Sequence, residues 1–195
     1  METRKRVLGE EHPDTLMSIS NLASTYRNLG RWKEAEQLFV QVSETTKRVL
    51  GEEHPSTLTI MANLASTYRN LGRWKEAEQL DIKVLETRKR VLGEEHPDTL
   101  TSISNLTSTY RNLGRWKEAE QLGVQVLETR KRVLGEEHPD TLTSMNNLAH
   151  TLKSQGQDEK AISLMKNAVN LLIKQLGPTH PNTIDSINDL NIWQK

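Results

Sequence analysis

Residues 9–13 read Gly-Glu-Glu-His-Pro, and the same five residues return at 51–55, at 93–97 and at 135–139. An altered copy, Gly-Pro-Thr-His-Pro, occupies residues 177–181. The interval is 42 residues each time, a length typical of structural repeats that stack into an elongated array. Each unit of such an array buries its apolar face against its neighbours. The sequence therefore predicts a repeat protein whose function resides on an extended surface.

Each repeat contains two helical patterns separated by a glycine. Between residues 9 and 50, Leu16, Ile19, Ala23 and Tyr26 recur at steps of three and four, which indicates one buried helical face. Gly30 is suited to end that helix, and a second pattern follows it. We predict an all-α α-solenoid of antiparallel helix pairs. The first helices, called A, are expected near 13–29, 55–71, 97–113, 139–155 and 181–193, and the second helices, called B, near 32–50, 74–92, 116–134 and 158–176.

Three tryptophans begin the B helices of the first three repeats. We expect each of them to be largely buried against helix A, which predicts a loss of about 3–5 kcal/mol of stability on replacement by alanine. They are Trp32, Trp74 and Trp116.

The whole chain, residues 1–195, is predicted to form a single array. Residues 1–8 are interpreted as the remnant of a preceding helix B, because residues 2–8 duplicate residues 86–92. Four full repeats follow at 9–50, 51–92, 93–134 and 135–176, and residues 177–195 are expected to form a polar capping helix. We expect the incomplete first edge to expose apolar surface, which predicts a homodimer formed through that N-terminal edge.

Composition excludes several classes of function. Lys and Arg together number 26, as do Asp and Glu, so no long-range attraction to nucleic acid or to an anionic membrane is expected. The chain has no cysteine, which excludes disulfides and thiolate chemistry. The repeated histidines lie about 10 Å apart per stacked unit and cannot share one metal ion, so we expect them to pack in loops. A cytoplasmic, non-enzymatic protein without cofactor or metal is predicted.

The pattern Asn-Leu-Ala-x-x-Tyr-x-x-x-Gly-x-Trp-x-Glu-Ala at residues 21–35 resembles the tetratricopeptide repeat (TPR), and its copies begin at Asn63, Asn105 and Asn147. The 42-residue length and the Leu-Gly-Glu-Glu-His-Pro linker are similar to the TPRs of kinesin light chains. The chain most closely resembles the C-terminal TPR region of fungal NOD-like receptors, which carry NACHT or NB-ARC NTPase modules. The resemblance implies a right-handed superhelix whose concave face, lined by A helices, binds peptides.

Candidate ligand-binding residues lie on the A helices. By the resemblance, the asparagines contact the backbone of a ligand; alternatively, they form hydrogen bonds within the array. A row of arginines at repeat spacing favours an acidic ligand, unless these side chains pair with carboxylates of the Glu34 type. Serines are expected on nearly the same face. The candidates are Asn21, Asn63, Asn105, Asn147, Arg27, Arg69, Arg111, Ser24, Ser66 and Ser108.

One position differs more than any other between repeats that are otherwise close copies. Residues 51–92 and 93–134 differ at only eight of 42 positions, and one of these is occupied in the four repeats by Phe39, Asp81, Gly123 and Met165. The variation indicates either a position that reads the ligand or relaxed packing.

The leading hypothesis is a protein-interaction scaffold that binds a protein or peptide in its concave groove, and the arginine row favours an acidic ligand. Its predicted context is the ligand-sensing repeat region of a fungal NOD-like receptor. A kinesin-light-chain-like cargo adaptor and a self-assembling structural module are the alternatives.

Overall fold

The computed structural model describes residues 6–194, and within that range the secondary structure is helical, without strands. Residues 6–8 are helical, and the part of the predicted remnant at residues 1–5 lies outside the described residues. The helices that follow are α1 (Pro13–Asn28), α2 (Trp32–Leu50), α3 (Pro55–Asn70), α4 (Trp74–Leu92), α5 (Pro97–Asn112), α6 (Trp116–Leu134), α7 (Pro139–Ser154), α8 (Asp158–Leu176) and α9 (Pro181–Trp193). The predicted all-α fold of helix pairs is confirmed, with the B helices at the expected bounds.

The His-Pro pair begins every A helix. Proline occupies the first helical position, where its missing N–H is no loss. The histidine before it is the N-cap, and its Nδ1 accepts a hydrogen bond from the backbone N–H two residues later. These bonds measure 3.2 Å at His12, 3.1 Å at His54, 3.1 Å at His96, 3.2 Å at His138 and 3.3 Å at His180. The histidines, expected to pack in loops, instead cap helices.

A glycine turn joins helix A to helix B in each repeat. Gly30 has a φ of +74°, the left-handed conformation that glycine adopts without steric cost. The N–H of Arg31 donates to the carbonyl of Tyr26 at 2.9 Å, and the N–H of Gly30 donates to Arg27 at 3.1 Å, which together form a Schellman motif. The guanidinium of Arg31 also lies over the ring of Tyr26, 4.3 Å from its centroid. The turn thereby reverses the chain within a few residues.

The chain divides into two compact units, residues 1–109 and 110–195. In the first unit, helices α1 and α2 pack through Leu16, Ile19, Phe39 and Val42, all buried. Ala23, also fully buried, belongs to the same cluster. Because an alanine carries only a methyl group, it permits the close approach of the two helices.

The second unit has its own core around helices α7, α8 and α9. Met145, Leu148 and Ala161 are buried there together, and Met165 packs with Ala149 in a neighbouring cluster. The partly buried side chain of Trp193 in the last helix packs against both clusters. Among the described residues, no helix has both the length and the hydrophobicity needed to cross a membrane.

The expected burial of the tryptophans is wrong. Trp32 is 40 % exposed, and Trp74 and Trp116 are half-buried. Each is the first residue of its helix, and the residue that packs into the pair is the alanine three positions later, such as Ala35, which is fully buried. Because the indole sits at the end of the helix pair, replacing Trp74 by alanine should cost less than the 3–5 kcal/mol of a fully buried tryptophan.

The histidine caps can be tested at His96, which begins α5. Replacing His96 by alanine removes the acceptor for the N–H of Asp98 and should lower the free energy of unfolding by about 1 kcal/mol. The matched variant His96→Asn keeps a cap acceptor and should stay close to the parent. Denaturant titration of the three proteins measures the difference. Equal losses in both variants would show that the imidazole acts by packing and not by capping.

Candidate functional site

A groove of about 330 Å³ lies on the A-helix face of the first unit. Its walls are formed by side chains from three successive A helices, α1, α3 and α5, and by one arginine from α4. The lining residues are Arg27, Thr59, Ala62, Asn63, Ser66, Arg69, Arg88, Asp98, Thr101 and Asn105. Five predicted ligand-binding residues are therefore brought together here: Arg27, Asn63, Ser66, Arg69 and Asn105.

The other candidates lie elsewhere. Asn21 is exposed on α1 and Ser24 is half-buried there, while Ser108 is half-buried on α5 and has an interaction partner. Asn147 lines a separate groove of about 290 Å³ in the second unit. Arg111 is half-buried near the end of α5 and lines neither groove.

Of the two alternatives left open by the sequence for the asparagines, the structure shows the hydrogen bond within the array, at Asn63. The carboxamide oxygen of Asn63 accepts a hydrogen bond of 3.1 Å from Arg27 of the preceding repeat, so this asparagine does contribute to the array. Its amide nitrogen remains a donor on the groove surface. Within residues 6–194, the side chains of Asn105 and Asn147 make no hydrogen bond, and both line grooves. These two carboxamides are free to contact a ligand.

The three arginines of the predicted row occupy different environments. Arg27 donates to a neutral carboxamide, whereas Arg69 forms an ion pair with Asp81 at 2.7 Å and lies 3.4 Å from the hydroxyl of Thr109. Arg111 has no hydrogen bond or ion pair within the described part of the chain. The expected pairing with Glu34 belongs instead to Arg31, at 2.8 Å. The three repeats thus share the arginine but differ in the residue with which it interacts.

The partner of Arg69 is set by the position at which the repeats differ most. Asp81 is only 2 % exposed, and its carboxylate also accepts a hydrogen bond of 2.7 Å from Thr109. Burial raises the pKa of Asp81, and the attraction of Arg69 and the hydrogen bond from Thr109 oppose that rise without cancelling it. Phe39, Gly123 and Met165 are buried at the equivalent places. Variation at this position therefore changes what holds the neighbouring arginine.

Sequence reasoning missed two buried arginines in the B helices. Arg88 is 5 % exposed and donates to the hydroxyl of Ser102 at 2.9 Å and to the carbonyl of Asp98 at 3.1 Å. Arg130 repeats these bonds with Ser144 and Asp140, at 2.8 and 3.2 Å. Burial lowers the pKa of both arginines, and the nearby carboxylates oppose it.

A signal for these arginines was present in the sequence. The position that carries arginine in two repeats carries Thr46 in the first, and the serine that it contacts is replaced there by Ile60. In the first repeat both positions therefore differ from the arginine and serine pair, whereas in the fourth Leu172 replaces the arginine and Ser186 is kept. A comparison of repeats in pairs of neighbours, instead of one by one, would have found it.

The groove of the second unit has a different chemistry. Asn146 donates to the hydroxyl of Ser186 at 2.8 Å, and His150 Nε2 lies 3.1 Å from the carboxylate of Asp189. The ring of Trp193 contacts His150 edge to face at 5.0 Å. Burial lowers the pKa of His150; the carboxylate of Asp189 opposes this effect and the charge of Arg111 adds to it. This groove carries carboxylates and carboxamides and no arginine among its lining residues.

Repeated antiparallel helix pairs with a glycine turn and an A-helix groove define a repeat scaffold of the interaction type. A family model for the tetratricopeptide repeat matches residues 14–80, 56–132 and 108–174. The chain belongs to the tetratricopeptide repeat family. Members of this family generally act as scaffolds for protein interactions, and the fold is typically non-enzymatic. No curated protein matches the sequence.

Solved structures support the same assignment. The chain is similar to the nearly identical TPR-like repeats of a Podosopora anserina protein assigned to the kinesin light chains, with 33 % identity, a TM-score of 0.81 and coverage of 93 % of this chain and 86 % of that chain. BtubC (BKLC) of P. vanneervenii is 24 % identical, with a TM-score of 0.76 and coverage of 87 % and 68 %. Apo RapI is 13 % identical, with a TM-score of 0.77 and coverage of 97 % and 71 %. The last two similarities concern the fold alone.

The ion pair under the first groove yields a stability prediction. Replacing Arg69 by methionine leaves the carboxylate of Asp81 buried without its cation and should cost about 3–5 kcal/mol of unfolding free energy. The double variant Arg69→Met/Asp81→Met removes both charges. Methionine already occupies the position equivalent to Asp81 in the fourth repeat, at Met165, so most of the lost stability should be recovered. Denaturant titration measures the unfolding free energy of both variants. A double variant as unstable as the single one would contradict this account.

Proposed function

We propose that this chain binds an extended segment of a partner protein along the groove of the first unit. The observation that carries the proposal is that three successive A helices place amide and guanidinium groups along one groove of about 330 Å³. Because a peptide backbone offers donors and acceptors at regular intervals, carboxamides such as Asn63 and Asn105 match it in chemistry. This arrangement supports the prediction that a ligand binds in the concave groove.

The charge of the groove favours an acidic segment. Three arginines line it and one carboxylate, that of Asp98, opposes them. Arg69 is already compensated by Asp81, and Arg88 is buried beside the carboxylate of Asp98. Arg27, which donates to the neutral carboxamide of Asn63, therefore supplies the accessible positive charge. Carboxylates of a ligand would meet planar guanidinium donors at this surface, a favourable geometry for recognition.

The biological context belongs to the same proposal. Similarity to kinesin-light-chain repeats supports a cargo-adaptor role, in which the partner is a segment of the cargo protein. The ligand-sensing region of a fungal NOD-like receptor is the role that the sequence resemblance suggested, and it stays a prediction. Both roles use the groove in the same way, and both place the protein in the cytoplasm.

Self-association is a second candidate, because apolar side chains are exposed near the first helix. Val7 is 69 % exposed and Met17 is 49 % exposed. The predicted homodimer through this edge is tested by sedimentation over a wide range of concentration. A protein that stays monomeric at all concentrations would exclude the homodimer.

The groove is tested by selecting displayed peptides that bind the protein and by measuring the affinities of the selected peptides. We expect the selected peptides to be rich in Asp and Glu and their affinity to fall as salt is raised. Asn105→Ala removes a groove carboxamide without breaking a side-chain bond of the described structure, and should weaken binding roughly tenfold, which corresponds to about 1.4 kcal/mol.

The matched control is Gln79→Ala, which removes an exposed carboxamide from the B helix α4 and should leave affinity unchanged. Fluorescence anisotropy of a labelled selected peptide measures its affinity for both variants. Equal effects of the two substitutions, or selected peptides without acidic residues that bind independently of salt, would overturn the proposed groove or its charge preference.

A further inference from the structure

Two repeats hold the same arginine in sites that differ in one decisive group. In the second repeat Arg69 pairs with Asp81, and Thr109 donates to the same carboxylate at 2.7 Å. Forty-two residues later the equivalent residues are Arg111, Gly123 and Thr151. The hydroxyl of Thr151 donates to the carbonyl of Asn147 at 2.9 Å. The third repeat therefore keeps the arginine and the threonine of the site and lacks its carboxylate.

Arg111 is left with a buried donor. Its Nε is buried and has no hydrogen-bond partner in residues 6–194. Burial lowers the pKa of Arg111, and no carboxylate opposes that effect. The charge of Arg111 acts on His150, whose Nε2 lies 3.1 Å from the carboxylate of Asp189. The side chain of Arg111 is only half-buried, so part of it remains accessible.

Among the described residues, three other partly buried arginines each donate from a terminal nitrogen to an acceptor, although the Nε of Arg130, like that of Arg111, has no partner. Arg27 donates to Asn63, Arg88 to Ser102 and Arg130 to Ser144. A buried donor without an acceptor is costly, and the loss is larger for a charged group. The terminal nitrogens of Arg111 are the donors left for a ligand, and a carboxylate would bind both of them, since the guanidinium fork matches the two carboxylate oxygens.

We propose that Arg111 binds the carboxylate of an Asp or Glu side chain in a bound protein segment, and that glycine at position 123 is what leaves this arginine open. Asp81 performs the same task from within the chain for Arg69. The residue at this helix B position thus decides which repeat reads an acidic side chain. This inference rests on the proposed protein-binding function and names one determinant of its specificity.

The experiment exchanges the two positions. In ¹⁵N-labelled protein, the Nε–Hε resonances of Arg69 and Arg111 are followed during titration with acetate at constant ionic strength, with chloride as the competing anion. We expect a saturable shift of the Arg111 resonance in the parent protein and its loss in Gly123→Asp. In Asp81→Gly the resonance of Arg69 should acquire the acetate response.

Matched variants keep the test decisive if one of these proteins folds poorly. Gly123→Ala adds a methyl group without charge and should retain the acetate response of Arg111. Arg111→Gln should remove the resonance and leave helix content and melting temperature close to the parent. No saturable shift of Arg111 in the parent, or an unchanged response in Gly123→Asp, would overturn the proposal.

A second arm connects Arg111 to the partner segment. For a selected acidic peptide, one Glu→Gln change should weaken binding to the parent protein and have no further effect on Arg111→Gln. If acetate binds Arg111 but no peptide binds the groove of the first unit, the proposed function fails and this site stands. If peptides bind and no glutamate couples to Arg111, only this inference fails.

Discussion

The reversal between helix A and helix B is the constraint on which the other features depend. Gly30 and its equivalents take a left-handed conformation, and the Schellman bonds fix where helix A ends. Helix B therefore starts at a fixed distance and returns along helix A. This geometry brings residue 81 of helix B against residue 69 of helix A, 12 positions earlier, and against residue 109 of the next repeat. A longer or looser turn would not place these three residues together.

Helix bounds were predictable because the residues that set them carry their own signals. Proline fixes the first turn and glycine the end, so Pro55 and Gly72 delimit α3 with little help from the rest of the chain. The extent to which Trp32 is exposed was not predictable in this way. Periodicity identifies which face of a helix is apolar, but not how far the neighbouring helix extends beside its first turn.

The candidate groove was predicted in outline and not in its charges. Asn63 and Asn105 lie where the repeat pattern places them, since position within an A helix determines which face it presents. The partner of each arginine depends on a residue of another helix, at the position where the repeats diverge. Asp81 compensates Arg69, whereas Gly123 provides nothing to Arg111. Identical motifs thus have different electrostatics, and only tertiary contacts reveal it.

Near-identical repeats can also pair incorrectly, because any A helix resembles the correct neighbour of any B helix. The buried pairs differ enough to oppose exchange. Arg88 finds the hydroxyl of Ser102, and at the preceding junction Thr46 occupies the place of that arginine and Ile60 the place of that serine. An arginine set against isoleucine would lose its acceptor and remain desolvated, a penalty that works against the wrong junction. The few positions that break the repeat therefore carry two kinds of information. At residues 46 and 60 they oppose the wrong helix neighbours, and at residues 81 and 123 they determine whether the neighbouring arginine has a carboxylate within the chain.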